Sequence, residues 1–275
     1  MTIRLLRKTV KHAMLPLLNK AVTRNGLARH LRSLGVAEGG LLLAHASLSR
    51  FGYVNGGAAT VIEALRDTIG PQGTLAFPAH TWEWMNRGLR VFDARSTPGC
   101  VGQISEVFRQ RPGVVRSLHP THSIAAEGPR AAEWCAGHEQ CAAPCDDRSP
   151  YMKVLEPGGQ ILFLGVDLGC NTAYYVIEWL CGFPHLLRPG MEEFEMIDQQ
   201  GRSWKQSFAQ HLEHVDRLFA EMETPLREAG ALRTSHLGGT PILLLDGPRF
   251  LATMRAMGEA DPLCLMKDRT QVLPG

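Results

Sequence analysis

The segment Gln160-Ile161-Leu162-Phe163-Leu164-Gly165-Val166 decides the fold, because a short, continuous apolar run is typical of a fully buried strand. Similar runs occupy Leu41–Ala46, Thr74–Ala79 and Pro241–Leu245, and helical patterns separate them. This alternation predicts an α/β layered sandwich with a mixed, partly parallel central sheet that is flanked by helices. The other predicted elements are the helices Ala58–Ile69, Ile104–Gln110, Pro129–Ala136, Asn171–Cys181, His211–Ala229 and Pro248–Met257, and a hairpin of Glu193–Asp198 with Ser203–Gln206.

The composition is that of an ordinary globular protein. The chain has 275 residues, of which 44% are hydrophobic and 20% are charged, and this length allows a sizeable core. No apolar run reaches the roughly 18 residues that a membrane span needs, and the N-terminus lacks the features of a secretory signal. We therefore expect no membrane span and a cytoplasmic location. The seven cysteines are an odd number, and a chain of this size needs no disulfide framework, so we expect reduced thiols.

Basic charge is concentrated at the N-terminus. The first 37 residues contain eight basic side chains and no acidic one, although the net charge of the whole chain is only +2. We expect residues 1–25 to form a basic helical extension and residues 26–275 to form a single domain. Such an extension suits a membrane surface, an anionic ligand or nucleic acid. Alternatively, it is a solvated helix packed on the body, and Pro16 limits any membrane-binding face. No aromatic-interleaved basic motif is present, so we expect no nucleic-acid partner.

The candidate site loops follow three of the predicted strands, after Ala46, Ala79 and Val166. In open α/β sheets, ligands bind beyond the carboxyl ends of the strands. The first loop begins His45-Ala46-Ser47-Leu48 and leads through Gly56-Gly57-Ala58 into a helix. A helix start preceded by glycines suits a pyrophosphate or a carbonyl oxygen, although the same pattern also occurs in a plain turn.

A second candidate element is Arg116-Ser117-Leu118-His119-Pro120-Thr121-His122-Ser123. It combines a cation, two imidazoles and three hydroxyls within eight residues. Imidazoles suit proton transfer near neutral pH, and arginine suits a phosphate or a carboxylate. The alternative is a polar surface loop, but the apolar Ile124-Ala125-Ala126 that follows indicates that the segment runs inward.

The third candidate element follows the strand that decides the fold. Thr172, Tyr175 and Glu178 recur every third residue, so on a helix they share one face, and Asn171 precedes them. A hydroxyl, a phenol and a carboxylate at a strand-to-helix loop fit a functional site. They fit a structural hydrogen-bond ladder equally well.

Together these blocks resemble the aminoglycoside 3-N-acetyltransferase family, and the likeness covers nearly the whole chain from about residue 26 onward. Several ordered blocks at consistent spacing carry it. The matching blocks are His45-Ala46-Ser47-Leu48 with Gly56-Gly57-Ala58, Arg116–Ser123 with Gly128-Pro129, Ser149-Pro150 with Gly158–Val166, and Asn171-Thr172 with Glu178.

The resemblance implies a CoA-dependent N-acetyltransferase with acetyl-CoA as acyl donor. The acceptor would be a small-molecule amine such as an amino sugar, an aminoglycoside or a specialised metabolite. The amine would attack the thioester directly while a protein base removes its proton, and backbone N–H groups would hold the oxyanion. The resemblance places acetyl-CoA against His45, Ser47, Leu48, Gly56, Gly57, Ala58, Arg116, Ser117 and Ser123.

The sequence departs from the family at the position of the base. The family usually reads Asn-Thr-x-x-His-x-x-Glu, with the histidine as base and the glutamate orienting it, but here Tyr175 stands at the histidine position. Tyrosine, with an ordinary pKa of about 10, is a poor base at neutral pH but a fair hydrogen-bond donor. Either His119 or His122 acts as base, or Tyr175 positions the acceptor, or activity is lost, and we favour the first two together. A biosynthetic acceptor is then favoured over an antibiotic, whose protonated amines benefit from a good base.

Three other interpretations of the chemistry are compatible with the sequence. Cys135, His138, Cys141 and Cys145 supply enough ligands for a zinc enzyme, although their spacing matches no common zinc module, so we expect no metal. Cys170 is a possible acyl-enzyme nucleophile, without a clear neighbouring base. A catalytically silent CoA-binding relative also fits the change at position 175. Trp82, Trp84 and Met85 suit an acceptor pocket, a homodimer contact or the core.

Overall fold

The computed structural model describes residues 22–183, 186–212 and 215–267. Most of the predicted basic extension therefore lies outside the described residues. The strands are β1 (Leu41–Ala46), β2 (Thr74–Pro78), β3 (Val91–Asp93), β4 (Val115–Arg116), β5 (Ile124–Glu127), β6 (Gly159–Leu164), β7 (Glu192–Ile197), β8 (Ser203–Phe208), β9 (Leu232–Leu237) and β10 (Thr240–Asp246). The helices are α1 (Arg24–Leu34), α2 (Gly57–Ile69), α3 (Trp82–Asn86), α4 (Gln103–Arg109), α5 (Ala131–Cys135), α6 (Pro150–Lys153), α7 (Tyr174–Leu180), α8 (Glu223–Glu228) and α9 (Gly247–Ala260).

The central sheet has seven strands in the order β4-β5-β2-β1-β6-β10-β9. Strand β1 pairs in parallel with β2 on one side and with β6 on the other. The outer strands β5, β4, β10 and β9 are added antiparallel. The sheet is therefore mixed and partly parallel, and the predicted fold class is confirmed.

Helices cover both faces of this sheet, because its central strands alternate their side chains between two cores. In β1, Leu41 and Leu43 face one core, whereas Leu42 and Ala44 face the other. The first core includes side chains of α5, α6, α7 and α9, and the second includes those of α1, α2 and α4. Burial on both faces explains why these strands read as continuous apolar runs in the sequence.

Local sequence signals set the ends of the outer helices. Helix α9 begins where the Asp246 side chain accepts the backbone N–H of Arg249, with Pro248 in the first turn. Helix α1 ends at Gly35, which adopts the left-handed conformation (φ 99°) that closes a helix. In the described ranges, none of the helices has the length and apolarity that a bilayer crossing requires.

A smaller sheet of order β3-β7-β8 lies beside the main one. Strands β7 and β8 form the predicted hairpin, with Glu192 opposite Phe208 and Ile197 opposite Ser203. This sheet has its own apolar core, which consists of Met85, Phe92, Ala94, Phe194, Met196 and Phe208.

The predicted helix His211–Ala229 is wrong. Residues around His211 are extended instead, since Leu187 and His211 form an antiparallel bridge and the Leu212 N–H donates to the Leu186 carbonyl. Within residues 215–229 the helical elements are a 3-10 turn (Ala220–Met222) and helix α8. Pro225 lies in the first turn of α8, where its missing N–H costs no hydrogen bond. The other predicted strands and helices are present, with ends that differ by up to three residues.

Candidate active site

Two cavities of about 520 Å³ each lie at the carboxyl edge of the central sheet. Cavity A is lined by the ends of β1 and β2, at Ala46 and Pro78, and by the loop after β6. Cavity B is lined by α3 and by residues 210–212, which follow β8. Because β1, β2 and β6 run in parallel, their loops meet at one edge, which is where ligands bind in such sheets.

Three side chains line both cavities: Trp82, His122 and Tyr175. A molecule in cavity A and a molecule in cavity B therefore touch the same three groups. The prediction that Trp82 lines a pocket agrees with this placement, whereas Met85 is buried in the core of the smaller sheet and Trp84 donates its indole N–H to the Pro98 carbonyl.

His122 is held by Thr121, whose Oγ1 lies 2.8 Å from the Nδ1 of the imidazole. Burial, followed by the nearby His138, lowers the pKa of His122 to about 3, so the ring is neutral at physiological pH. In the tautomer that donates its Nδ1–H to Thr121, Nε2 keeps a lone pair that is able to accept a proton. His122 is therefore neutral and lines both cavities, while the same burial makes its ring a weaker proton acceptor than an exposed imidazole.

His119 is not placed to act as a base, which corrects one of the two predictions made for this loop. Its Nδ1 accepts the backbone N–H groups of Thr121 and His122, both at 3.2 Å. Its ring stacks on His138 at 4.8 Å between centroids and contacts the Phe208 ring at 5.1 Å. Since it is 1% exposed and lines neither cavity, His119 shapes the loop that carries His122.

Asn171, Thr172 and Tyr175 line cavity A, so the third sequence element does reach the cleft. Glu178 does not reach it. Its side chain is 2% exposed, and its two oxygens accept hydrogen bonds from Arg217, from Nε at 2.6 Å and from Nη2 at 3.2 Å. The prediction that Glu178 orients a base is therefore corrected: it is the counter-ion of Arg217.

Arg116, Ser117 and Ser123 do not line the cleft, contrary to the prediction that they contact acetyl-CoA. The Arg116 guanidinium is buried and donates to the carbonyls of Thr97 (2.6 Å) and Ala79 (2.7 Å) and to the Ser123 hydroxyl (3.0 Å). It also lies 4.8 Å from the centre of the Phe92 ring. These contacts use its donors internally and hold the two sheets together.

Ser117 is likewise internal. Its hydroxyl lies 2.8 Å from His138 Nδ1 and accepts the Ile124 N–H at 2.9 Å. The Ser123 hydroxyl, besides accepting from Arg116, donates to the Ala79 carbonyl at 2.8 Å. These serines therefore stabilise the turn between β4 and β5 and do not bind a ligand in the cleft.

The first loop divides between lining and supporting residues. His45 lines cavity A, and burial lowers its pKa to about 3, while its ring stacks on Phe163 at 5.1 Å. Ser47 lines cavity C, of about 480 Å³, which also contains Arg50. Cavities A and C share Val166 and Cys170. The remaining predicted donor-site residues line none of the three cavities; they are Leu48, Gly56, Gly57 and Ala58.

The cleft residues that the sequence analysis did not identify include His80, His211 and Arg217. His80 lies two residues after β2, and its Nε2 lies 2.6 Å from the Tyr151 hydroxyl; its place directly after a strand was the signal. His211 lines cavity B, and its ring lies 4.1 Å from that of Tyr175 and 4.7 Å from that of His122. No sequence signal identified His211 or Arg217, because both lie in the segment wrongly predicted as a helix.

The cysteine cluster does not form a metal site. Both ring nitrogens of His138 are engaged, by Ser117 Oγ at 2.8 Å and by the Pro144 carbonyl at 2.9 Å. The thiols of Cys135 and Cys141 point to different carbonyls, those of Val115 and Gly137. Across residues 22–183, 186–212 and 215–267, no group of three or more His, Cys, Asp or Glu side chains is arranged to hold a metal ion. The contacts of His138, Cys135 and Cys141 therefore do not support the zinc alternative.

Two adjoining cavities that share a neutral imidazole and a phenol allow two molecules to bind side by side, as a group-transfer enzyme requires. The model of the aminoglycoside 3-N-acetyltransferase family matches residues 43–259. The chain belongs to this family of CoA-dependent N-acetyltransferases, so the predicted family, the enzyme class and acetyl-CoA as acyl donor are confirmed.

Individual relatives agree along most of the chain. Aminoglycoside N(3)-acetyltransferase IV of Salmonella sp is 30% identical over 242 residues, which cover 87% of this chain and 88% of the relative. The structure of aminoglycoside acetyltransferase AAC(3)-IVa, as a mutant in complex with a gentamicin, superposes with a TM-score of 0.78 at 28% identity and covers 92% of this chain and 94% of that one. The structure of the binary complex of AAC-IIIb with CoASH superposes with a TM-score of 0.71 at 27% identity. The match covers 88% of this chain and 97% of that one.

Proposed function

We propose that this chain transfers an acetyl group from acetyl-CoA to an amine of an amino sugar or aminoglycoside. The observation that carries the proposal is the wall shared by cavities A and B, to which His122 and Tyr175 both contribute. Relatives that bind CoASH and a gentamicin support the two substrate classes.

The donor fits cavities A and C, which adjoin each other through Val166 and Cys170. In this arrangement the thioester lies in cavity A near His122, and the phosphates of CoA lie toward Arg50. The Arg50 guanidinium has no hydrogen-bond or ion-pair partner within the described ranges, so it is available for a phosphate.

His122 is the proposed base. A thioester is already activated, so the protein has to orient the two substrates and to remove one proton from the amine. The amine nitrogen bonds to the carbonyl carbon, its proton moves to Nε2 of His122, and the C–S bond breaks to release CoA as a thiolate. The proton on His122 then neutralises that thiolate.

Cavity B is the proposed acceptor site, and its charges are balanced. Arg87 pairs with Glu83 at 2.5 Å, Arg188 pairs with Glu192 at 3.3 Å, and the buried Arg217 pairs with Glu178. Among the described residues that line cavity B, Glu83 is the only carboxylate, and Arg87 already neutralises it. This balance favours an acceptor with few positive charges, such as an amino sugar, over a strongly polycationic antibiotic.

The test is release of CoA from acetyl-CoA by a panel of amines that runs from glucosamine to gentamicin. We expect amine-dependent release, and a fall of about 10²-fold or more in kcat for His122→Gln, which removes a general base. The comparison is His30→Gln, because His30 lines none of cavities A, B and C. Its partner Ser235 lines cavity C, so we expect an unchanged kcat and any effect to be confined to the KM for acetyl-CoA. Binding of acetyl-CoA without turnover of any amine would instead identify a catalytically silent relative.

A further inference from the structure

Tyr175 is held rigidly at the junction of cavities A and B. Its ring contacts the His211 ring at 4.1 Å between centroids and the edge of Phe219 at 5.5 Å, and the Arg217 guanidinium lies 5.0 Å from the ring centre. Cation–π and aromatic contacts of this kind fix the plane of a ring. The phenol oxygen, in contrast, has no hydrogen-bond partner among the described residues.

The phenol keeps its proton throughout the physiological range. Burial raises the pKa of Tyr175 to about 12, and the Arg217 charge partly opposes this rise. A protonated phenol does not remove a proton from an amine, but it donates a hydrogen bond. An unused donor at the point where two substrates meet is suited to a charge that develops only during the reaction.

We propose that Tyr175 donates its O–H to the carbonyl oxygen of the thioester and stabilises the oxyanion that forms when the amine attacks. This inference rests on the proposed function. As the amine nitrogen bonds to the carbonyl carbon, the C=O electron pair moves to oxygen, and the Tyr175 O–H bonds to that oxygen without transferring its proton. The pair returns when the C–S bond breaks, and the amine proton goes to His122. Tyrosine at this position therefore has a different task from a base.

The other residues that line both cavities are less suited to this role. His122 is neutral and is assigned the amine proton, so it is not available as a donor to the oxyanion. Trp82 is 42% exposed, and its side chain is not fixed by rings on two sides. A preorganised donor needs a fixed position before the charge develops.

The kinetic test compares Tyr175→Phe with Tyr174→Phe. The first change removes only the hydroxyl at the junction. The second removes the neighbouring hydroxyl, which is buried where α7 packs against Phe219 and Phe250 and has no hydrogen-bond partner within the described part of the chain. We expect kcat to fall by about 10²–10³-fold in Tyr175→Phe, as on loss of one oxyanion donor. The KM for acetyl-CoA and the shape of the pH profile should stay the same, and Tyr174→Phe should match the wild type.

Two outcomes would overturn the proposal. A kcat for Tyr175→Phe within threefold of the wild type would show that the hydroxyl does not stabilise the transition state. A pH profile that changes shape, with loss of a titrating limb, would show that Tyr175 acts as a base.

A second measurement needs no turnover and so separates this inference from the proposed function. Infrared difference spectra of bound acetyl-CoA, labelled with carbon-13 at the thioester carbonyl, report a hydrogen bond as a shift of the C=O stretch to lower wavenumber. We expect this shift in the wild type and in Tyr174→Phe, and its loss in Tyr175→Phe. Equal spectra for all three proteins would overturn the inference even if the enzyme acetylates amines.

Discussion

Glu178 and Arg217 form a bidentate ion pair, with Nε–Oε1 and Nη2–Oε2 distances of 2.6 and 3.2 Å, directly beneath the ring of Tyr175. The side chains are only 2% and 9% exposed. A carboxylate that is fully engaged with a guanidinium is not available to orient a histidine. In this chain the Glu178 carboxylate therefore serves as the counter-ion of Arg217.

The first prediction concerns the stability of this pair. Glu178→Gln leaves the Arg217 charge buried without a counter-ion, so we expect the free energy of unfolding to fall by about 3–5 kcal/mol. The double variant Glu178→Gln, Arg217→Met removes both charges and should recover a large part of this loss. Urea unfolding followed by circular dichroism gives both values, and a double variant no more stable than the single one would show that the unpaired charge is not the cause.

The second prediction concerns the dependence of rate on pH. The low pKa of His122, about 3, means that the base is already unprotonated above about pH 5. The proton that limits the reaction is then the one on the acceptor, since only a neutral amine attacks. We expect kcat/KM for the acceptor to rise with pH up to the pKa of the amine. For two acceptors, the midpoints of this rise should differ by the difference between the pKa values of their amines. A midpoint that stays near 6.5 for every acceptor would contradict the charge state assigned to His122.

The third prediction concerns stability in mild acid. Burial lowers the pKa of six histidines, His45, His80, His119, His122, His138 and His211. Histidines in the unfolded chain have a pKa of about 6.5, and below this pH they bind protons that the folded chain excludes. The contribution of the neutral imidazoles to the free energy of unfolding is therefore fully present above that pH and is lost as the pH falls toward about 4.

Unfolding midpoints between pH 7.5 and 5 measure this loss. Each such histidine contributes up to about 1.4 kcal/mol per pH unit to the slope of the free energy of unfolding against pH, which corresponds to one proton. If the variant folds, His138→Gln should reduce this slope by about that amount. Carboxylates with lowered pKa values, such as Glu63 and Asp67, lose their contribution only at lower pH and do not interfere. A midpoint that is constant down to pH 5 would contradict the burial of neutral imidazoles.

The fourth prediction concerns the donor site. If the CoA phosphates lie toward Arg50 in cavity C, Arg50→Gln should weaken CoA binding by about tenfold or more, since a hydrogen bond to a charged group contributes roughly 1.5–3 kcal/mol. Arg227→Gln is the matched control, because Arg227 lines the same cavity but is paired with Glu223. Calorimetric titration with CoA measures both, and an equal effect of the two changes would indicate only a general charge effect.

The sequence predicts the fold well where the signals are local. The central strands are buried on both faces and so carry unbroken apolar runs, and Asn171, Thr172 and Tyr175 reach cavity A because they follow directly from one of these strands. His122, predicted from a loop rich in groups that transfer protons, lines cavities A and B, and its role as a base stays a prediction.

The rest of the site depends on contacts between distant segments. Arg116 resembles a ligand-binding cation in the sequence, but only the fold shows that the carbonyls of Ala79 and Thr97 converge on it. His211 and Arg217 lie in a segment whose apolar spacing predicts a helix, and the pairing of His211 with Leu187 overrides that local pattern. The predicted homodimer, the N-terminal extension and the cytoplasmic location stay predictions.

The wall shared by cavities A and B has a consequence for the order of events in a catalytic cycle. Because Trp82, His122 and Tyr175 line both cavities, we expect the thioester and the amine to be bound together when the acetyl group moves, without an acetyl-enzyme. Initial-velocity plots at several fixed concentrations of the second substrate should therefore intersect rather than run parallel. Acetyl-CoA alone should give no burst of free CoA, even though the Cys170 thiol lies in the wall of cavity A.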